Sequence, residues 1–197
     1  MKTGMISIAV FALMVLAQWY VPISMIKGQE RIIEQGTSFK FKVAPIDPHD
    51  HFRGKYVWLN YDESSVKVTS DKDWPSESDF RNLQAYATIR LDSAGYATFD
   101  KILLEKPSSG NYMRLHVNWF DNDQKLAYIN IPFDRYYMEE SKAPKAEKLY
   151  NESFQNLQNA RNPKEAWAVI NILDGEGVLQ ALFIEGKSIE DWVQEME

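Results

Sequence analysis

A mainly β domain, β-rich α+β in class and built as an antiparallel sandwich or partly open barrel with one amphipathic helix, is expected to follow an N-terminal transmembrane helix. Three observations predict this. The chain carries a single charge, Lys2, before Lys27. From Ser38 to Phe133, short segments alternate apolar and polar residues between clusters of Gly, Pro, Asn and Asp. One later stretch, Ser141 to Arg161, repeats its apolar residues at helical spacing.

The first element is the uncharged run Gly4 to Ile26. At about 1.5 Å per residue a helix of this length reaches roughly 30 Å, the thickness of a hydrocarbon core. Ser7, Gln18 and Ser24 are its clearly polar side chains, Trp19 and Tyr20 lie towards the end where aromatic rings favour the interface, and Pro22 is placed in the last turn. A cleaved signal peptide competes with this reading, because Val15-Leu16-Ala17 has the small or branched residues that signal peptidase accepts. The anchor is preferred because apolar residues continue through Trp19, Val21, Ile23 and Ile26. Residues 1–26 are thus taken as the anchor and 27–197 as the soluble domain. Basic residues flank the run on both sides, Lys2 on one and Lys27, Arg31, Lys40 and Lys42 on the other, so charge does not orient it.

In Ser38 to Val43, Phe39, Phe41 and Val43 alternate with Ser38, Lys40 and Lys42, as in a strand with one buried face. Pro45 to Gly54 reads as a loop: Pro45 and Pro48 lack amide donors, and Asp47 and Asp50 favour turns. Tyr56 to Tyr61 reads as one aromatic strand, with Tyr56, Trp58 and Asn60 on one face and Val57, Leu59 and Tyr61 on the other. Further strands are expected at Val66 to Thr69, Ala85 to Leu91, Ala97 to Leu104, Tyr112 to Phe120 and Leu126 to Phe133. Within Tyr112 to Phe120, Met113, Leu115, Val117 and Trp119 are assigned to the buried face and Arg114, His116 and Asn118 to the other.

The helix Ser141 to Arg161 is given Ser141 as its cap, Pro144 in its first turn, and an apolar face of Ala146, Tyr150, Phe154 and Leu157, with Asn162-Pro163 ending it. Ala166 to Asp174 and Val178 to Glu185 form a hairpin about Asp174-Gly175-Glu176-Gly177. Both of its strands are apolar on both faces, so the hairpin is expected to be central or covered by the helix.

Composition narrows the function classes. With 45% hydrophobic and 13% aromatic residues in 197, the chain can bury a real core. Lys2 is the one basic residue among 22 that precedes Lys27, so residues 27–197 carry 21 basic against 28 acidic side chains, a formal charge of −7. Nucleic acid would be repelled. Cysteine is absent, which removes disulfides, thiolate metal sites and cysteine nucleophiles.

The run Pro45-Ile46-Asp47-Pro48-His49-Asp50-His51-Phe52-Arg53-Gly54-Lys55-Tyr56-Val57-Trp58-Leu59-Asn60-Tyr61 resembles the signature of the GDYXXLXY protein family. Gly54, Tyr56, Leu59 and Tyr61 match the family pattern, Lys55 stands where the family has Asp, and Pro45, Asp47 and Pro48 match its lead-in. Phe133-Asp134-Arg135-Tyr136-Tyr137-Met138-Glu139-Glu140, running into Ala146-Glu147, is similar to a second block, and the C-terminal hairpin with Gly175 and Gly186 to a third. The resemblance implies a membrane-anchored, extracytoplasmic bacterial protein of uncharacterised function, associated with a polytopic membrane protein. Its motif residues, structural or binding, would be Pro45, Asp47, Pro48, Arg53, Gly54, Tyr56, Leu59, Tyr61, Arg135 and Glu139.

The residues themselves favour a bland explanation for most of these. Tyr56, Leu59 and Tyr61 are explicable as core elements at a loop-to-strand joint entered through Gly54. Asp47, His49, Asp50 and His51, with His116, are a dense set of metal-ligand types whose spacing matches no metal signature, so a solvated loop is the expectation, with no metal and no cofactor. Glu139-Glu140 reads as a charged strand end, and Arg53 and Arg135 as the cations best suited to bind a carboxylate. No nucleophile-base pair is identifiable, so no catalytic residue is assigned and an enzyme is not the leading expectation. Trp58, Trp74, Trp119, Trp167 and Trp192 supply aromatic surface for a partner, although most are expected in the core. The leading expectation is therefore a single-pass protein of the cell (inner) membrane. Its partners are the lipid bilayer and a polytopic membrane protein, to which it is a binding or accessory subunit. The alternative is a membrane-bound, peptidase-like hydrolase with a site around Asp47 to Tyr56.

Overall fold

The computed structural model describes residues 2–44, 56–62, 64–68, 83–139, 141–155 and 165–195. The expected loop 45–54, Thr69, Trp74, and the expected end of the second helix at 156–163 lie outside the described residues.

The chain opens with α1 (Lys2–Gln35), which passes through Ile26 without interruption. It is long and apolar enough to cross a membrane, a property shared by membrane spans and signal sequences. Because the helix continues to Gln35, Pro22 is internal rather than in the last turn. Proline has no amide to give the Gln18 carbonyl, a local loss that membrane helices tolerate where nearby hydroxyls share the backbone bonding. Ser24 Oγ donates to the Val21 carbonyl at 2.7 Å beside it.

The last turns of α1 are fastened to the domain. Gly36 N–H donates to the Ile32 carbonyl at 2.9 Å, and Asn171 Nδ2 donates to the Ile33 carbonyl at 3.0 Å. Ser38 Oγ in turn donates to Asn171 Oδ1 at 2.6 Å. Asn171, a buried polar residue, therefore takes up a helix-end carbonyl that has no partner within the helix.

The domain is mostly β. One five-stranded sheet is made of β1 (Thr37–Ala44), β3 (Asn60–Tyr61), β10 (Ala166–Leu173), β11 (Glu176–Ile184) and β12 (Lys187–Ser188), in the order β12-β11-β10-β1-β3. The other contains β4 (Ser65–Lys67), β5 (Leu83–Leu91), β6 (Ala97–Leu103), β7 (Tyr112–Asp121) and β8 (Leu126–Asn130), in the order β4-β8-β7-β5-β6. A bridge between Val68 and Ile102 brings its two edge strands together, so this sheet nearly closes as a barrel. β2 (Tyr56–Trp58) and β9 (Arg135–Tyr137) form a separate antiparallel pair. α2 (Ala143–Gln155) lies against β2 and against α3 (Ile189–Glu195).

The core forms where the inner faces meet. Phe39, Phe41 and Val43 of β1, Ile170 of β10 and Leu182 and Ile184 of β11 are buried with Phe99, Ile102, Met113, Leu115 and Val117 of the barrel-like sheet. Phe41 bridges the layers, its ring 5.5 Å from that of Phe99 and 6.4 Å from that of Tyr61.

Several expectations are corrected by long-range packing. Tyr56 to Tyr61 is two strands, because Leu59 breaks the ladder and the halves join different sheets; Leu59 and Tyr61 are buried as expected, with Val57 beside them, whereas Tyr56 is only half-buried. In β7 the register shifts between Val117 and Trp119, which turns Phe120 inward and leaves Trp119 half exposed, stacked on Tyr128 at 4.9 Å. Trp167 and Trp192 are only partly buried, Trp192 packing against the edge of the core. The strand expected at Leu126 to Phe133 stops at Asn130. Ser141 does not cap α2: its Oγ donates to Glu139 Oε1 at 2.9 Å, and the helix begins at Ala143. The C-terminal hairpin is central as expected, β10 standing in the middle of its five-stranded sheet with β11 beside it, but the end of α1 packs on it and its turn is tighter than expected.

That turn consists of Asp174 and Gly175, both with positive φ, at 54° and 88°. Such a two-residue turn matches the twist of the paired strands. Its tip also ties the layers together, since Arg114 N–H donates to the Gly175 carbonyl at 2.9 Å and Arg114 pairs with Glu176. A Cβ on Gly175 would come within 2.7 Å of the Tyr112 ring. Gly175→Ala is therefore expected to cost about 1–3 kcal/mol from backbone strain. Urea unfolding checks this, and an unchanged midpoint would contradict the assigned geometry.

Candidate functional site

Tyr56, Leu59 and Tyr61 are positioned by β2, the break after it and β3, and this stretch grips one segment, Phe133 to Tyr137. In the β2–β9 pair Tyr56 faces Tyr137, Val57 faces Tyr136 and Trp58 faces Arg135. Leu59 N–H then donates to the Asp134 carbonyl at 2.7 Å, and Tyr61 Oη donates to the Phe133 carbonyl at 2.7 Å. The spacing Tyr-x-x-Leu-x-Tyr thus has a mechanical reading. A ladder, one backbone bond and one buried hydroxyl hold five consecutive residues of a segment more than 70 positions away.

Burial pushes the Tyr61 hydroxyl above its ordinary value of 10.0, with Tyr150 and Asp134 adding to the shift. A raised folded-state value means that the stability from the neutral hydroxyl is complete below about pH 10 and is lost as the pH climbs beyond it. Tyr61→Phe leaves the Phe133 carbonyl unsatisfied and is expected to cost about 1–2 kcal/mol at pH 7. The same variant lacks the ionising group, so its alkaline stability falls less steeply, by up to about 1.4 kcal/mol per pH unit. Urea midpoints at pH 7 and pH 11 compare the two chains, and a gap of equal size at both values would count against a buried hydroxyl.

Arg135 is the charged centre of the gripped segment. Its guanidinium lies 5.1 Å from the centre of the Tyr56 ring, and its Nε lies 3.8 Å from Asp134 Oδ2. A hydrogen bond with Tyr137, and then the charge of Asp134, push its pKa up, so the cation is held in its charged form. The Tyr137 ring meets that of Tyr56 edge-on at 5.6 Å and is 65% exposed. Behind this surface Tyr136 Oη donates to Glu190 on α3, and burial raises the Glu190 carboxyl.

Arg135 opens onto a cleft of about 450 Å³ lined by Gln29 of α1, by Pro132 to Tyr137 and by Gly177 to Gln180 of β11. A second cleft, of about 410 Å³, adjoins it through Gln29, Gly177 and Val178. Met25, Ile32, Leu173 and Val178 supply its apolar wall, and Arg31, Asp174 and Glu176 stand at it. Arg31 and Asp174 approach to 3.7 Å.

Of the motif residues named from the sequence, the structure brings together Tyr56, Leu59, Tyr61 and Arg135. Glu139 stays apart and exposed, bracketed by Ser141 Oγ and by Lys142 Nζ at 3.3 Å, which hold its carboxyl below the usual range. Pro45, Asp47, Pro48, Arg53 and Gly54 lie outside the described residues, as do His49, Asp50, His51 and Glu140. His116 is exposed on β7. Among the described residues no group of three His, Asp or Glu side chains is placed to hold a metal ion.

A model of the GDYXXLXY protein family matches residues 18–182. The chain belongs to that family. The GDYXXLXY match begins inside α1 and ends within β11, so it takes in the helix exit, both gripped blocks and most of the hairpin. No curated protein and no solved structure matches the chain.

Sequence reasoning missed Gln29, Val178 and Gln180 as cleft residues. One signal was present: Gly28, in the middle of a helix, is an unfavourable residue there and asks for a local reason.

Proposed function

We propose that this GDYXXLXY protein is a single-pass protein of the cell (inner) membrane, its β-rich domain on the extracytoplasmic side, serving as a binding or accessory subunit of a complex with a polytopic membrane protein. The observation that carries this reading is the surface of α1. Leu13, Leu16, Trp19 and Tyr20 are each at least 65% exposed, and the exposed apolar residues run on through Ile26. Such a helix needs lipid or protein around it. It is continuous with the turns that Asn171 clasps, so the domain is held close to the membrane rather than on a free tether.

Purification of the full-length chain from its native membrane in mild detergent tests the assembly. Recovery together with a stoichiometric polytopic protein is the expected result, and recovery alone in every detergent would sink the subunit reading. A reporter fused after Glu197 tests the side: activity of one that works only in the cytoplasm would overturn the placement.

A further inference from the structure

We infer that the two adjoining clefts beside α1 form a binding site for one phospholipid of the surrounding bilayer, with acyl-chain carbons against Met25, Ile32, Leu173 and Val178 and the phosphodiester at Arg135. The inference rests on the membrane anchoring proposed above.

Position is the first support. The uncharged run ends at Ile26, and Ile32 lies about 9 Å further along the helix axis. The headgroup region of a bilayer is roughly 5–8 Å deep on each side. Met25, Gly28 and Gln29 therefore stand at the depth where a phospholipid changes from chains to headgroup, and Ile32 stands at the outer edge of the headgroup region.

The second support is the division of chemistry between the clefts. The apolar wall is continuous with the lipid-facing surface of α1 through Met25, which is 64% exposed. Across Gln29 and Val178 the lining gains Gln180, Asp134, Arg135 and Tyr137 beside Phe133 and Leu179. A guanidinium is the side chain best shaped to receive a phosphate, and here Tyr56 and Tyr137 hold it in place beforehand. An amphiphile lying across the shared wall would meet each surface with the matching part of itself. The clefts, at about 410 and 450 Å³, are within the usual range for small-molecule sites.

The third support is Gly28. A Cβ built there meets nothing within 4 Å among the described residues, so no packing among them requires the glycine. Alanine would suit a helix better by about 1 kcal/mol. What the glycine preserves is open space over the cleft.

Gly28→Leu is the test, because a Cβ meets no atom there, the longer side chain adds bulk at the cleft, and helix propensity improves. The full-length chain is reconstituted in nanodiscs of phosphatidylcholine and phosphatidylethanolamine, extracted into mild detergent, and its bound lipid counted by native mass spectrometry. The expected result is one retained phospholipid per wild-type chain, at least a tenfold loss of that species in Gly28→Leu without a lower melting temperature, and a several-fold loss in Arg135→Gln. Retention by Gly28→Leu equal to wild type overturns the inference, as does a carbonate-resistant wild-type chain carrying no phospholipid, or a polypeptide held in the cleft instead. A chain that carbonate washes from vesicles overturns the anchoring itself, a result recorded before any lipid is counted.

Discussion

Replacing Leu13 and Leu16 together with arginine is expected to abolish integral membrane association. Both lie near the middle of the uncharged run, and both side chains are about 70% exposed on α1, with no protein surface among the described residues to shelter a charge. Each arginine at the centre of an inserting helix costs about 3 kcal/mol, so the pair shifts insertion by roughly 10⁴-fold or more. Carbonate extraction of membranes reads the outcome. The wild-type chain should remain with the pellet and the double variant should move to the supernatant or be degraded. A double variant that stays in the pellet as firmly as wild type would refute the lipid-spanning role of α1. Leu13→Ala with Leu16→Ala, which keeps the segment uncharged, should still fractionate with membranes.

Phe41→Ala is expected to be the most damaging single truncation in the domain. Phe41 is 1% exposed and touches both layers, with Phe99 on β6 and Tyr61 at the end of the motif. Removing a buried phenylalanine ring costs about 3–5 kcal/mol, from lost transfer energy and from the cavity left behind. For a chain of this size that corresponds to a fall in melting temperature on the order of 10 °C. Lys40→Ala, one residue away on the opposite face of β1, is the control. Lys40 lies over the Trp167 ring at 5.6 Å in an exposed setting, and its loss should cost about 0.5 kcal/mol or less. Similar losses for the two variants would mean that the sheets do not meet at Phe41.

Residues were legible where a local rule governs them. The period-two pattern identified the inner face of β1 and the inward Met113, Leu115 and Val117 of β7, because a buried sheet face admits few polar side chains. It failed two residues later, where a bulge reversed the phase at Trp119 and Phe120; a bulge depends on how the neighbouring strand pairs, and β8 is not visible from within β7. Ser141 had the chemistry of a cap, yet Glu139 lay close enough to take its hydroxyl. Pro22 was misplaced because the helix outlasts the apolar run: the charged turns from Lys27 to Gln35 are stabilised by docking on β10 and β11, not by their own hydropathy.

The candidate site divides in the same way. Tyr56, Leu59, Tyr61 and Arg135 could be named from their order along the chain, since aromatic spacing and a matching motif are properties of the sequence. That they act on one another could not, because the pairing of β2 with β9 joins residues more than 70 positions apart and no local periodicity encodes such a partner. The apolar length of the first helix and the β-rich class follow from residue chemistry read one neighbourhood at a time. The splitting of the motif strand at Leu59, the near closure of one sheet and the clefts beside Gly28 arise from packing between distant segments, where the burial of shared surface outweighs any preference of the separate pieces.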